Sequence, residues 1–284
     1  MQFTTPPDLK SRVRDLAAAK VEMLFRQAEA TRLSPPDEFF ADPAAPIGVG
    51  RLAEILRNPM LGRELHEGKL IETCVALALE STGRAVKQNK KFAVTEPDLA
   101  LVAENDFSKL SSIRPPAPGR FVRGFEVDIV CHHPQTKRFE CVDIKRTALD
   151  ATLERDHRTL FEAASVAALR FIRRGDLEIV ETRLATVRWY ASDQAASGGI
   201  LSRETVDATL KAPVRETVDF ALAVYKAEFD RLLAALVRRI TTPPIGVQPL
   251  RKKAKRSSAL GDPTPAPLSL DDAWKMAVRA GRPS

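Results

Sequence analysis

Residues 125–145 read FEVDIVCHHPQTKRFECVDIK: two alternating apolar runs, Phe125–His133 and Phe139–Lys145, on either side of the four-residue stretch Pro134–Lys137. Alternation of this period around a short polar break is the signature of an antiparallel hairpin. The loop length then sets the register. With His133 opposite Arg138, Val130 faces Cys141 and Asp128 faces Asp143, so two carboxylates project from one face of the sheet. Directly opposed Cβ atoms lie about 4.5–5.5 Å apart, close enough for both carboxylates to share one divalent cation. Lys145, two residues beyond Asp143, is on the same face. A slip of one residue would send the two acids to opposite faces, so this reading stands on the loop length.

Two acids side by side in a sheet repel each other and are costly to desolvate unless a cation or a proton compensates them. An all-oxygen ligand set suits Mg2+ or Mn2+, and a lysine beside it can orient a nucleophilic water or neutralise charge growing on a phosphate. The plainer reading is a pair of partly exposed strand carboxylates with Lys145 as their counter-ion.

The rest of the chain frames this hairpin. Asp8–Arg32 has a helical period, the Pro-rich Ser34–Pro46 interrupts it, and a short helix follows over Gly50–Arg57, so residues 1–60 form an N-terminal helical layer. Pro59 and Gly62 break the pattern before a long apolar helix, Arg63–Thr82, closed by Gly83 in the left-handed conformation. Arg84–Thr95 has the alternation of a strand, and a polar, Pro-rich insertion then reaches Ser112–Gly119. After the hairpin come a helix over Leu149–Arg174, a strand over Leu184–Ala191, and a largely helical stretch, Arg203–Ile240, interrupted at Pro213. Residues 61–240 thus run helix, three strands, helix, strand, and residues 241–284 form a flexible basic tail.

An Asp in one strand followed by Asp-x-Lys in the next, here Asp128 and then Asp143-Ile144-Lys145, resembles the PD-(D/E)xK nuclease superfamily, whose core has this element order. That family also places a glutamate in the first core helix, between two glycines and among small apolar residues. Gly68, Glu72, Val75, Ala76, Leu79 and Gly83 are similar to that pattern, and the resemblance covers roughly Gly62 to Ala191. Asp143 stands where Glu is commoner, and Val127 where the family name has its proline. The resemblance implies a restriction-endonuclease-like α/β core, a mixed central sheet flanked by helices, with extra helices at both ends of the chain. It further implies that Glu72, Asp128 and Asp143, with the carbonyl of Ile144, bind Mg2+ or Mn2+, and that Lys145 positions the attacking water. The implied activity is a metal-dependent DNA nuclease hydrolysing phosphodiester bonds in restriction, repair or the processing of mobile-element DNA. The helix after Lys145 carries no Gln-x-x-x-Tyr signature of the exonuclease-like branch, which points to an endonuclease.

Other residues compete for roles. Glu67 sits nearer than Glu72 to the centre of the face formed by Ile71, Cys74 and Ala78, and Glu126 falls across from Lys145. Cys131, His132, His133 and Cys141 invite zinc and hence a regulatory protein, but adjacent strand residues point to opposite faces. Lys87, Lys90, Lys91, Arg120 and Arg123 flank the acids in sequence and can hold a phosphate backbone. An inactive nuclease-fold subunit that binds DNA or scaffolds a larger complex is the alternative to the enzyme.

Charge is distributed unevenly. The chain carries +7 over 284 residues, but Arg231–Gly261 holds eight basic residues and no acidic one, which leaves residues 1–230 near neutrality. The collar Arg251–Arg256, RKKAKR, suits a polyanion such as DNA. Near the end, Leu270, Trp274 and Val278 share one face of a helix starting around Ser269, a contact surface for a protein partner or a second copy. Two Trp and two Tyr make a poor basis for a dedicated single-strand-binding module. Three cysteines are too few for a four-cysteine iron-sulfur cluster and fit a reducing compartment. With no apolar run of membrane-spanning length and no signal-like start, the expectation is a cytoplasmic protein without a membrane partner.

Overall fold

The structure, a computed structural model, describes residues 3–33, 49–104, 114–146, 151–173, 178–190 and 200–241. Its centre is a five-stranded mixed sheet of β1 (Ala85–Thr95), β2 (Phe121–His133), β3 (Arg138–Lys145), β4 (Glu181–Arg188) and β5 (Ile200–Ser202), adjacent in that order. The first three strands pair antiparallel, whereas β3, β4 and β5 are parallel. Parallel neighbours need a crossover, and the helix Ala151–Arg173 supplies it between β3 and β4. In chain order the helices are α1 (Pro7–Leu33), α2 (Val49–Glu80), α3 (Glu96–Glu104), α4 (Ala151–Arg173), α5 (Val206–Leu210) and α6 (Val214–Thr241).

Two compact units divide the chain: Met1–Ala18 with His66–Tyr225, and Ala19–Leu65 with Lys226–Ser284. The sheet belongs to the first. There Phe161, Ala164 and Ala168 of α4, with helical spacing, bury against Val94, Val127, Val130, Phe139 and Cys141 of the sheet. Behind the head of β1, Arg84 donates Nε–H to Glu140 Oε2 at 2.7 Å and further bonds to Thr82 Oγ1 and the Leu210 carbonyl, so one guanidinium ties β1, β3 and α5. Both partners are almost wholly buried, at 2% and 1% exposure. In the second unit Phe25 and Phe229 meet edge to face at 5.3 Å, the Arg63 guanidinium lies over Phe229, and Glu29 pairs with Arg32 and Arg239.

Several expectations are corrected. Pro59 and Gly62 do not separate two helices; α2 runs through both, from Val49 to Glu80. An interior proline costs a helix about 3 kcal/mol, and burial of Ile55 and Leu56 in the adjoining turn offsets it. After β1 comes a helix, α3, rather than a wholly irregular insertion. Its start is a capping box: Asp98 Oδ2 accepts both the Thr95 main-chain N–H at 2.9 Å and the Thr95 hydroxyl at 2.6 Å. Asp98 also receives Arg170 of α4 through both oxygens, and Arg170 donates to the Pro116 carbonyl. The strand read as Leu184–Ala191 lies at Glu181–Arg188, β2 begins at Phe121 rather than Phe125, and Pro213 separates α5 from α6. Gly83 has the expected left-handed conformation, φ 84°. The segment Ser34–Pro46, the collar Arg251–Arg256 and the stretch from Ser269 lie outside the described residues. Among the described residues, no helix is long and apolar enough to cross a membrane.

Candidate functional site

The hairpin pairs as its loop length dictates, from His133 with Arg138 to Ile129 with Val142. The next pair, Asp128 with Asp143, does not form. Instead Asp128 Oδ2 accepts the Ile144 main-chain N–H at 2.7 Å, so a side chain stands where a strand carbonyl would continue the ladder. On the other side of β2, the pairing to β1 skips between Gln88–Ile129 and Lys90–Val127, at Asn89, whose φ is 51°. Val127 and Val130, three residues apart, join the same core cluster, which a regular strand of period two would forbid. Asp128 thus sits where the ladder stops, on the register line of Asp143, with one oxygen on the Ile144 main chain.

The acids nevertheless act on each other. Asp143 is fully buried on β3, and its Oδ1 accepts Lys145 Nζ–H at 3.0 Å. Its Oδ2 is buried and meets no N–H or hydroxyl donor among the described residues, only the Asp128 carboxyl when that group carries its proton. Burial, and after it the charge of Asp143, pushes the Asp128 carboxyl up to about 6. Burial likewise raises Asp143, against the pull of Lys145. Glu72, half-buried on α2, is raised by burial and by the charge of Asp128, while its hydrogen bond from Lys69 Nζ at 2.7 Å works the other way. Lys69 also reaches Asn89 Oδ1 at 3.5 Å.

Glu72, Asp128, Asp143 and Lys145 therefore share one electrostatic neighbourhood, but they are not equivalent. Among the described residues no three His, Cys, Asp or Glu side chains converge closely enough to enclose a metal ion. Glu72 is engaged by Lys69, beside the aspartate pair rather than closing a cage around it. Ile144 contributes its N–H to Asp128. A pair of buried carboxylates, one with an unpartnered oxygen, is nevertheless a fitting donor set for Mg2+, which binds through one or two carboxylates and retains several waters.

The structure adds a residue that the sequence reading passed over. His157 of α4 has its Nε2 3.7 Å from Asp143 Oδ1, and its ring meets Phe125 edge to face at 5.1 Å. Burial, then the Lys145 ammonium, lowers its pKa to about 4. With Lys145 it lines a small cavity that also includes Glu154 and Arg188, themselves an ion pair. The signal was available: His157 is spaced four and seven residues from the buried Phe161 and Ala164, on the stripe that α4 turns to the sheet.

Other candidates fall elsewhere. Glu67 accepts the Tyr190 hydroxyl and lies 3.8 Å from Arg146. Glu126 is exposed and pairs with Lys91 of β1, and the β2–β3 ladder ends at Ile129, short of it. Cys131 pairs across the hairpin with Glu140 and Cys141 with Val130, so the two thiols point to opposite faces; Cys131 donates to Glu140. Lys87, Lys90, Lys91, Arg120 and Arg123 are all exposed, on β1 and at the start of β2, and Arg120 pairs with Glu96. No protein-family model, curated protein or solved structure matches this chain.

Proposed function

We propose that the chain is a metal-dependent DNA nuclease of the PD-(D/E)xK kind, with a restriction-endonuclease-like core, hydrolysing phosphodiester bonds as an endonuclease. The observation that carries this reading is Asp143, with one oxygen on Lys145 and the other buried without a donor, beside an Asp128 that burial and repulsion leave in need of positive charge. Asp128 and Asp143 would hold Mg2+ or Mn2+, with the Ile144 carbonyl as the resemblance implies and Glu72 as an outer acceptor. The cation, when bound, supplies positive charge to phosphate oxygens and acidifies water. Lys145, fixed by Asp143, would hold the attacking water against the phosphorus; the new P–O bond forms as the ester P–O bond breaks, the attacking water gives a proton to solvent, and the leaving oxygen takes one from solvent. Asp128 keeps β3 in place through Ile144, so carboxylate and lysine come from one rigid strand. Exposed lysines and arginines on β1 and β2 offer sequence-independent contacts to the backbone.

The test is cleavage of supercoiled, linear and branched DNA with Mg2+ or Mn2+, abolished by chelation. Asp143→Ala and Lys145→Ala each lower the rate about 100-fold or more while circular dichroism stays native, and Glu72→Gln costs more than Glu67→Gln. Cleavage by Asp143→Ala at near wild-type rate would overturn the assignment.

A further inference from the structure

Tyr190 is the second residue after β4 and is half exposed, whereas Trp189 before it is buried. Two main-chain bonds fix its place: Trp189 N–H donates to the Lys145 carbonyl at 3.0 Å, and Tyr190 N–H to the Arg146 carbonyl at 2.9 Å. Tyr190 therefore stands just past the end of β4, two residues beyond Arg188, the register partner of the site lysine.

The ring is held from two sides. Its hydroxyl donates to Glu67 of α2, and the Arg146 guanidinium carbon lies 5.9 Å from the ring centroid and pairs with the same Glu67. An exposed aromatic that only filled space would not need its tip anchored by a carboxylate. A ring fixed in this way loses little conformational entropy when something stacks on it, and the cation beside it favours an electron-rich or anionic visitor. A base unstacked beside the cut offers its π-face to such a ring whatever its identity, and the neighbouring Lys145 and Arg146 suit the phosphates on either side of it.

We propose that Tyr190, fixed by Glu67 and Arg146, is the stacking platform for one nucleobase of the DNA strand whose phosphate is held at Lys145. This rests on the nuclease reading above and deepens it, giving Glu67 a positioning role distinct from that of Glu72.

The test uses the full-length protein and a duplex cut at a defined bond, with Kd from fluorescence anisotropy in EDTA and kcat and KM with Mg2+. Tyr190→Ala raises Kd and KM by about 10-fold, the factor expected for loss of one base stack, with kcat carrying the smaller change. Tyr190→Phe keeps the stacking face but loses the Glu67 anchor, and so recovers part of the affinity lost in Tyr190→Ala. An abasic site is then walked along the strand. At one position beside the cut it weakens wild type by the same factor as Tyr190→Ala and adds nothing to that variant. If the abasic penalty is the same for wild type and Tyr190→Ala at every position, the platform is refuted while cleavage keeps the nuclease reading intact. Absence of both binding and cleavage in wild type refutes the nuclease reading, and the platform with it.

Discussion

Asp128→Asn isolates the electrostatic cost of the site from its architecture. The asparagine side-chain oxygen can still accept the Ile144 N–H, but it carries no charge to set against Asp143. In the folded protein the Asp128 carboxyl titrates at about 6 rather than 3.8, chiefly because it is buried and secondly because Asp143 is near. A carboxyl that holds its proton more tightly when folded contributes stability below its unfolded pKa and loses that contribution as pH rises through the folded value. The gap amounts to about 3 kcal/mol at pH 8. Asp128→Asn should therefore stabilise the metal-free protein at pH 8 by up to about 3 kcal/mol, or roughly 6–12 °C in Tm, and by almost nothing at pH 4. Thermal melts in EDTA at pH 4, 6 and 8 give the profile. Mg2+ at a hundred times its Kd should raise wild type by about 2.7 kcal/mol and leave the asparagine variant where it was, closing the gap from the other side. Asp128→Ala makes the useful contrast, because it also strands the Ile144 N–H, which costs about 1–3 kcal/mol and cancels the gain. Equal stabilisation by Asn at all three pH values, or destabilisation at pH 8, would refute the claim that the folded protein holds Asp128 ionised at a cost, from burial first and from Asp143 second.

Substitutions at Asn89 and at the Arg84–Glu140 pair test the frame of the site. Asn89→Gly should leave stability within about 0.5 kcal/mol, whereas Asn89→Val should cost about 1–2 kcal/mol in urea denaturation, because the left-handed backbone there suits Asn and Gly and crowds a β-branched side chain. Glu140→Ala should cost about 3–5 kcal/mol by leaving the Arg84 guanidinium buried without its charge partner; a double change, Arg84→Met with Glu140→Leu, that recovered none of this in the same assay would show that the charge is not the cause.

The α/β character, the order of the long elements and the hairpin register could be read from the sequence because each rests on local periodicity and on one loop length. The errors have the same origin. The Pro-rich stretch around Pro115 and Pro116 overshadowed the Thr95-Glu-Pro-Asp98 capping box, a local signal for α3 that was present in the sequence. Pro59 was read as a break because propensity is local, while the burial of Ile55 and Leu56 that outweighs it is tertiary. At the site, counting strand positions brought Asp128 near Asp143 but missed that the carboxylate would occupy a main-chain position, since alternation describes where Cβ atoms point and not what a side chain replaces. The proximity of Lys69 to Glu72 is a three-residue helical spacing and was legible in principle; that of His157 to Asp143 depends on how α4 crosses the sheet and had no counterpart in the spacing between them.

Asp98 brings together segments far apart in sequence. One carboxylate starts α3 through Thr95, grips α4 through Arg170, and through the same guanidinium holds the carbonyl of Pro116 ahead of β2. None of these segments can fray alone without exposing a buried charge on the others. Their amide hydrogens should accordingly exchange with solvent as one cooperative unit, with a single opening free energy for α3 and the middle of α4, and not as a mobile cap on a stable helix.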